Sequence, residues 1–220
     1  MNNIKTEDKQ NAPLITCEGI DGSGKSTICK MLSKHLTDQN IQTILTKEPG
    51  GTPFGLQLRN ILQHSTEPIS PIAEFLLFAA DRAHHLASIV KPALQKGTWV
   101  ISDRMHDSSV AYQGYGRSLD LNIINQTNKI ALQGIEPTIT LYLKIDPEKA
   151  HMRINQRNEE KTRFEQEKKD FWLRVIGGFE TIFATRSNVI VLDATKTPEE
   201  IMTELLTHQL WKNLIDHYAA

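Results

Sequence analysis

The chain has 220 residues, of which 39% are hydrophobic, and its formal net charge is -1. A chain of this length and composition can fill one large α/β core. A net charge this close to zero is not typical of a nucleic-acid-binding protein, which usually has a strongly basic surface, so nucleic acid is not an expected partner. No apolar run is long enough to span a bilayer, so a membrane is not an expected partner either.

The beginning of the sequence, MNNIKTEDKQNA, is polar and aperiodic. It predicts a flexible tail over residues 1–12, which leaves residues 13–220 as one domain. These first residues lack the apolar stretch of a secretory signal, and the two cysteines, Cys17 and Cys29, are too few for a disulfide framework. We therefore expect a cytoplasmic protein with two buried, reduced thiols.

Five short runs rich in Ile, Val, Leu and Thr predict β-strands buried on both faces, because their apolar residues are continuous rather than alternating. In chain order they are PLITCEG, IQTILTKEP, TWVISDR, PTITLYLKI and NVIVLDA. Segments with helical spacing lie between them, among them residues 25–39, 72–95, 121–133 and 198–211. This alternation predicts a parallel sheet with helices on both faces, in which ligands bind at the carboxyl ends of the strands.

The segment EGIDGSGKST, residues 18–27, follows the first predicted strand and opens the first predicted helix. Its glycines let backbone N–H groups point inward at phosphates, Lys25 adds a positive charge, and the Ser26 hydroxyl is a metal ligand. The segment therefore predicts a site for a nucleoside triphosphate with Mg²⁺. The residues assigned to this site are Gly19, Ile20, Asp21, Gly22, Ser23, Gly24, Lys25, Ser26 and Thr27.

The second and third strands also end in candidate site residues. Glu48 and Pro49 precede two glycines, with Arg59 on the following helix; an ordinary turn with a solvated arginine is the alternative interpretation. The third strand ends in Asp103 and Arg104. A strand-terminal aspartate beside a phosphate loop commonly holds the water shell of the metal, and an adjacent arginine can bind a second phosphate; a surface ion pair is the alternative.

Phe78 and Arg82 are four residues apart on a predicted helix and so share one face. An aromatic ring and a guanidinium at this spacing can hold a flat heterocycle, although phenylalanine at such a position most often belongs to the core.

The charge-rich segment 151–172 follows the fourth strand and has few apolar residues. Such a composition is typical of a solvated helical pair or of a mobile flap. Its position at the same edge of the sheet as the phosphate loop favours a lid at about residues 151–170, which carries Arg153, Arg157 and Arg163.

Together these residues resemble the thymidylate kinases, P-loop enzymes that phosphorylate dTMP to dTDP. The resemblance covers about residues 14–202 and rests on EPGGT, the FAADR helix, DR followed by SSVAYQG, and LDAT before the last helix. It implies a P-loop NTPase-type five-stranded parallel sheet, a mobile lid, ATP as phosphoryl donor, Mg²⁺, and a homodimer. From the residues alone, another nucleoside or nucleoside monophosphate kinase, or a nucleotide-dependent switch protein, remains possible.

The resemblance also implies roles for individual residues. Phe78 would stack on thymine, Arg82 would contact the base, and Arg59 and Arg104 would hold the monophosphate. Asp21 would accept a hydrogen bond from the 3′-hydroxyl of the acceptor. The implied catalytic residues are Lys25, Arg104, Arg157, Arg153 and Asp21, and the implied metal ligands are Ser26 and Asp103. The other implied acceptor residues are Glu48, Pro49, Ser108, Ser109, Tyr112 and Gln113, and those near adenine are Asp193, Ala194 and Thr195.

Overall fold

A computed structural model of the chain describes residues 12–157 and 160–219. Residues 1–11 of the expected tail and residues 158–159 of the expected lid lie outside the described residues. Ala12, the last residue of that expected tail, is buried, and its backbone N–H donates to the Leu94 carbonyl. No helix in the described part of the chain is long and apolar enough to cross a membrane.

The described chain contains a five-stranded, all-parallel sheet with the strand order β2-β3-β1-β4-β5, and all five predicted strands are present. The expected burial on both faces is wrong for the two edge strands, since no β2 residue is buried and β5 alternates between buried and less buried residues. An edge strand has a neighbouring strand on one side only and is less fully covered. The central strand β1 is buried along its whole length, which requires helices on both faces of the sheet. The strand bounds are β1 Leu14–Glu18, β2 Thr43–Lys47, β3 Trp99–Asp103, β4 Ile139–Lys144 and β5 Val189–Asp193.

The helices lie between and around the strands in the predicted alternation. Their bounds are α1 Lys25–Asp38, α2 Pro53–His64, α3 Pro71–His85, α4 Lys91–Gln95, α5 His106–Ser109, α6 Leu121–Leu132, α7 Pro147–Gln156, α8 Lys169–Phe183, α9 Pro198–Thr207 and α10 Gln209–Tyr218. Two π-helical segments, Leu86–Val90 and Val110–Gly116, follow α3 and α5.

Two predicted helices differ in detail. The π-helical segment Leu86–Val90 interrupts the helix expected over 72–95. The helix expected over 198–211 is divided at His208, whose backbone leaves the helical region with ψ 138 and whose ring Nδ1 accepts from the Leu210 N–H at 3.2 Å. An imidazole can cap a helix locally, so periodicity alone did not reveal the break.

The sheet brings three loops to one edge because the carboxyl ends of parallel strands lie together. The phosphate loop follows β1, the Glu48–Pro49 turn follows β2, and the Asp103–Arg104 turn follows β3. Pairing of Cys17 with Asp103 and of Lys47 with Asp103 aligns the three strand ends. Both cysteines are buried free thiols, as expected.

Candidate active site

A cavity of about 700 Å³ lies at this edge of the sheet. Every residue predicted for catalysis, for the metal and for the acceptor lines it. Of the residues predicted for the triphosphate, Asp21, Gly22, Gly24, Lys25, Ser26 and Thr27 also line it. The structure therefore brings together residues that are far apart in the sequence.

The phosphate loop is tightly packed against its surroundings. Gly22 has φ 82, and a Cβ atom there would lie 2.4 Å from the carbonyl oxygen of Ala150 on α7, so only glycine fits. Gly24 precedes α1 and has no side chain with which to cap its first N–H groups. These groups are consequently available to phosphate oxygens at a helix N-terminus.

Lys25 is buried beneath this loop. Its ammonium group donates to the Ile20 carbonyl at 2.8 Å and lies 3.4 Å from Ser23 Oγ. Burial, and next the positive charge of Arg104, lower the pKa of Lys25 to about 8. Ile20 and Ser23 thus contact the Lys25 ammonium group and do not line the cavity. Because nearby phosphates would favour the charged ammonium, the position of Lys25 suits an anionic ligand.

Ser26 and Asp103, the predicted metal ligands, are adjacent in the structure. The Ser26 hydroxyl donates to Asp103 Oδ2 at 2.5 Å. A hydroxyl and a carboxylate are the hard oxygen ligands that Mg²⁺ prefers, and Mg²⁺ in such sites is completed by phosphate and water oxygens. The residues present therefore fit Mg²⁺. The described residues contain no cluster of three or more His, Cys, Asp or Glu side chains that could hold a metal by itself.

Arg104 lies between the phosphate loop and the acceptor wall, our name for the cavity-lining residues Phe78, Arg82, Ser108, Ser109, Tyr112 and Gln113. Its Nη1 donates to the Gly19 carbonyl at 2.7 Å and to Ser108 Oγ at 3.0 Å, and its Nη2 donates to Asp21 Oδ1 at 2.5 Å and to Tyr112 OH at 3.2 Å. Burial acts to lower the pKa of Arg104, but the neighbouring Tyr112 and Asp21 outweigh burial and raise it. All four terminal N–H groups of Arg104 are therefore engaged by protein atoms.

The Asp21 carboxylate accepts from Arg104 and, at 3.4 Å, from the Tyr112 hydroxyl. Burial opposes its ionisation, but the charges of Arg104 and Lys25 outweigh burial and lower the pKa of Asp21. An ionised carboxylate consequently lies inside a loop that otherwise suits anions. The positive charges of Arg104 and Lys25 compensate its negative charge.

Arg82 is more tightly held than the sequence predicted. The side chain is 1% exposed. It donates to Glu48 Oε2 at 2.9 Å, Asn128 Oδ1 at 2.7 Å and Ser109 Oγ at 3.0 Å, and to the Met105 carbonyl at 3.1 Å. With four of five N–H groups occupied, the guanidinium can offer one further donor to the cavity.

Phe78 and Arg59, two residues predicted for the acceptor, both line the cavity. The Phe78 ring contacts that of Phe164, with centroids 5.8 Å apart. Arg59 donates to the Pro49 carbonyl at 3.0 Å. Burial, and next the like charge of Arg104, lower the pKa of Arg59. Two arginines of like charge that line the same cavity favour an anion between them.

The expected lid, about residues 151–170, begins within α7 and ends in the first residues of α8. Arg153 and Arg157 line the cavity, and Arg157 pairs with Glu165. The Thr162 N–H donates to Glu165 Oε2 at 2.9 Å. Arg163 does not line the cavity; its Nη1 donates to the Leu62 carbonyl at 3.3 Å and so fastens the segment to α2.

The three residues predicted near adenine lie outside this cavity, at the end of edge strand β5. The Thr195 N–H donates to Asp193 Oδ1 at 2.9 Å, and Ala194 is buried. The strands β2 and β3, whose ends carry residues predicted for the acceptor, lie on one side of β1, and β4 and β5 lie on the other. An adenine bound near these three residues would therefore lie on the β4–β5 side of β1.

Glu18 is a site residue that the sequence interpretation did not assign. It is buried at the end of β1 and accepts from the Met105 N–H at 2.8 Å and from Ser108 Oγ at 2.5 Å. Burial, and next the charge of Asp107, raise its pKa to about 7. Glu18 holds the turn that carries Arg104. Its only sequence signal is an acidic residue that ends an apolar strand.

Comparison with known proteins places this geometry in a family. A family model described as thymidylate kinase matches residues 17–205. The thymidylate kinase of Chlorobaculum parvum is 43% identical over 203 residues, which cover 88% of this chain and 94% of that protein. That of Carboxydothermus hydrogenoformans is 42% identical over 191 residues, covering 87% and 93%. The crystal structure of thymidylate kinase from Ehrlichia chaffeensis matches with a TM-score of 0.71 at 31% identity, covering 88% of this chain and 98% of that one.

Proposed function

The chain belongs to the thymidylate kinase family, and from this premise we propose how its own residues share the work of the reaction. It is a dTMP kinase, and its family uses ATP as the phosphoryl donor. The predicted family, fold class and activity are thereby confirmed. The residue roles, Mg²⁺ and the homodimer are proposals.

The proposed roles rest chiefly on the position of Arg104. One guanidinium reaches both the Gly19 carbonyl of the phosphate loop and the Ser108 hydroxyl of the acceptor wall. Triphosphate on the loop and monophosphate against the wall would therefore lie on either side of the same positive charge. This arrangement suits transfer between two phosphates, since their mutual repulsion is offset where they meet.

The phosphoryl transfer requires positioning and charge stabilisation more than proton transfer. A phosphate monoester is already ionised at neutral pH, so its oxygen can attack without a general base. We assign Lys25 to the donor phosphates and Arg59 with Arg104 to the acceptor phosphate. Ser26 and Asp103 would hold Mg²⁺, which would neutralise negative charge on the donor phosphates.

An exchange of partners at Arg104 accommodates the acceptor. All four terminal N–H groups bond to protein, so a phosphate can bond to Arg104 only where a protein partner leaves. A phosphate is negatively charged like the Asp21 carboxylate, so Asp21 is the partner that a phosphate can replace. When phosphate replaces Asp21 at Nη2, the carboxylate becomes available to the acceptor's 3′-hydroxyl, as the family resemblance implies.

The lid supplies the remaining cation. Arg157 lines the cavity with its side chain 45% exposed, whereas its partner Glu165 is 8% exposed. We assign Arg157 first, and Arg153 second, to the transferred phosphoryl group. Arg163 anchors the lid to α2 instead.

The homodimer is supported by exposed apolar side chains on α2, α3 and α6, of which α3 packs against both others. They include Leu56, which is 53% exposed, Leu76, 50% exposed, and Ile130, 78% exposed. Sedimentation of the purified chain would test this assembly. The proposed cytoplasmic location is supported by the two reduced, buried thiols.

An acceptor screen tests the proposed function. ADP release should depend on dTMP and should be far slower with dCMP or dGMP at equal concentrations. Arg59→Ala should weaken dTMP binding much more than thymidine binding, because thymidine has no phosphate for that guanidinium to hold. ADP release that is independent of any acceptor would contradict the kinase assignment, and equal losses of dTMP and thymidine would remove Arg59 from the phosphate site.

A further inference from the structure

Two rows of side chains face each other at the wall of the cavity, one on α3 and one over residues 109–113, and Phe78, Arg82, Ser109 and Gln113 are their members that line it. Glu74, Phe78 and Arg82 follow one another at intervals of four on α3 and share a face. Arg82 donates to Ser109, and Glu74 accepts from Gln113, four residues farther along the facing segment. The two rows therefore run in opposite directions, and the cavity-lining residues Arg82 and Gln113 lie on facing rows.

Glu74 lies behind this wall. It is 1% exposed and does not line the cavity. Its Oε1 accepts from Gln113 Nε2 at 3.0 Å and from Arg117 Nε at 3.2 Å, and its Oε2 accepts from Arg117 Nη2 at 3.2 Å. Arg163 Nη2 adds a second positive charge 3.8 Å away. Both oxygens of the Glu74 carboxyl group accept from N–H donors, so Glu74 acts here only as an acceptor.

This acceptor decides which way the Gln113 amide points. Only the NH₂ edge of an amide can face a carboxylate, so Gln113 must turn its Nε2 to Glu74 and its carbonyl oxygen away. Gln113 lines the cavity, and the described chain supplies no donor to its Oε1. The polar atom that Gln113 offers to a ligand is therefore a hydrogen-bond acceptor.

The wall then presents a donor on Arg82 and an acceptor on Gln113 to the same cavity. Arg82 can only donate, and Gln113, whose NH₂ group is turned to Glu74, can accept through its Oε1. A pyrimidine-2,4-dione such as thymine or uracil complements this pair, because it carries a carbonyl oxygen next to a ring N–H. Cytosine has the reverse pattern, with an amino group next to an unprotonated ring nitrogen.

We propose that Glu74 is a positioning residue that sets base specificity: by holding the Gln113 NH₂ group it turns the amide carbonyl toward the acceptor, so that the site selects thymine or uracil against cytosine. This inference rests on the proposed contact of Arg82 and Gln113 with the base. A site whose buried polar groups would be left unpaired rejects the wrong ligand strongly, which a purely apolar pocket cannot do.

Glu74→Gln tests the proposal, because glutamine offers both a carbonyl and an NH₂ group and so lets the Gln113 amide turn over. The measured quantity is the ratio of kcat/KM for dTMP to that for dCMP. We expect this ratio to fall by about tenfold or more, the equivalent of at least one hydrogen bond. Glu74→Asp keeps an acceptor-only group and should retain more of the wild-type ratio, even if its overall activity is reduced.

Glu167→Gln is the matched control. Glu167 pairs with the same Arg117 but does not contact Gln113 in the described structure. The same change of charge there should leave the dTMP to dCMP ratio at its wild-type value. An unchanged ratio in Glu74→Gln, or an equal fall in Glu74→Gln and Glu167→Gln, would overturn the proposal in favour of a purely structural role for the Arg117 ion pairs.

Wild-type protein provides a second measurement that does not depend on folding of a variant. N3-methyl-dTMP keeps both carbonyl groups but lacks the ring N–H, so it should bind at least about tenfold more weakly than dTMP. Equal binding would overturn the proposal. If wild-type protein phosphorylates dTMP, but Glu74→Gln keeps the wild-type ratio and N3-methyl-dTMP binds as well as dTMP, the role of Glu74 is refuted and the kinase function still holds. If no dTMP-dependent ADP release occurs, the proposed function itself fails.

Discussion

Replacing Asp21 by asparagine removes one negative charge from the phosphate loop and keeps the size of the side chain. Asp21 Oδ1 accepts from Arg104 Nη2 at 2.5 Å, and the Asp21 side chain is 28% exposed. Arg104 and Lys25 lower its pKa despite burial, so the carboxylate is ionised at neutral pH. If phosphate takes its place at Arg104, the carboxylate can accept a charge-assisted hydrogen bond from the acceptor's 3′-hydroxyl.

The expected magnitude follows from that hydrogen bond. A hydrogen bond to a charged group contributes about 1.5–3 kcal/mol, and each 1.4 kcal/mol is about tenfold, so the wild-type kcat/KM should favour dTMP over 3′-deoxy-dTMP by about ten- to a hundredfold. A neutral amide oxygen accepts more weakly. Asp21→Asn should therefore lower this preference by about tenfold. The assay is coupled ADP release with each acceptor and each protein.

Tyr112→Phe separates this role from simple support of Arg104. Tyr112 bonds to Arg104 at 3.2 Å and to Asp21 at 3.4 Å, so its loss loosens Arg104 without changing the charge of Asp21. It should lower kcat/KM for both acceptors by a similar factor. If Asp21→Asn behaves in the same way and retains the wild-type preference for the 3′-hydroxyl, Asp21 only holds Arg104, and our reasoning is refuted.

Four further variants test other parts of the site. Lys25→Ala should lower kcat by about 10²–10³ with an unchanged far-UV circular dichroism spectrum, because it removes a cation from developing phosphate charge; near-normal kcat would exclude Lys25 from that role. Arg157→Ala should lower kcat with little change in the KM for dTMP, and wild-type kcat in both Arg157→Ala and Arg153→Ala would place the lid cation elsewhere. The pKa of Glu18 is raised from 4.5 to about 7 on folding, so ionisation of Glu18 opposes the folded state, and wild-type stability should fall as pH rises from 4.5 to 7. Glu18→Gln should lose part of that fall, as measured by Tm at each pH, and an identical pH dependence would contradict it.

The strands and the phosphate loop could be predicted because their signals are local. A parallel strand covered on both faces is a continuous apolar run, and β1 and β4 have this form along the chain. The phosphate loop depends on glycines at fixed spacing beside Lys25 and Ser26. Helix ends were less predictable, since the break at His208 depends on one ring nitrogen that caps α10.

The sequence by itself determined the alternation of strands and helices, the phosphate loop, and the set of side chains that the sheet gathers at one edge. Only the tertiary structure decided how those side chains are paired. Asp21 meets Arg104, and Glu74 meets Gln113, across loops whose approach depends on strand order and helix packing. Hydrogen bonds between distant segments leave no periodic pattern in the chain. Spacing therefore indicated which groups are present, and the packed fold alone determined which donors and acceptors face the ligand.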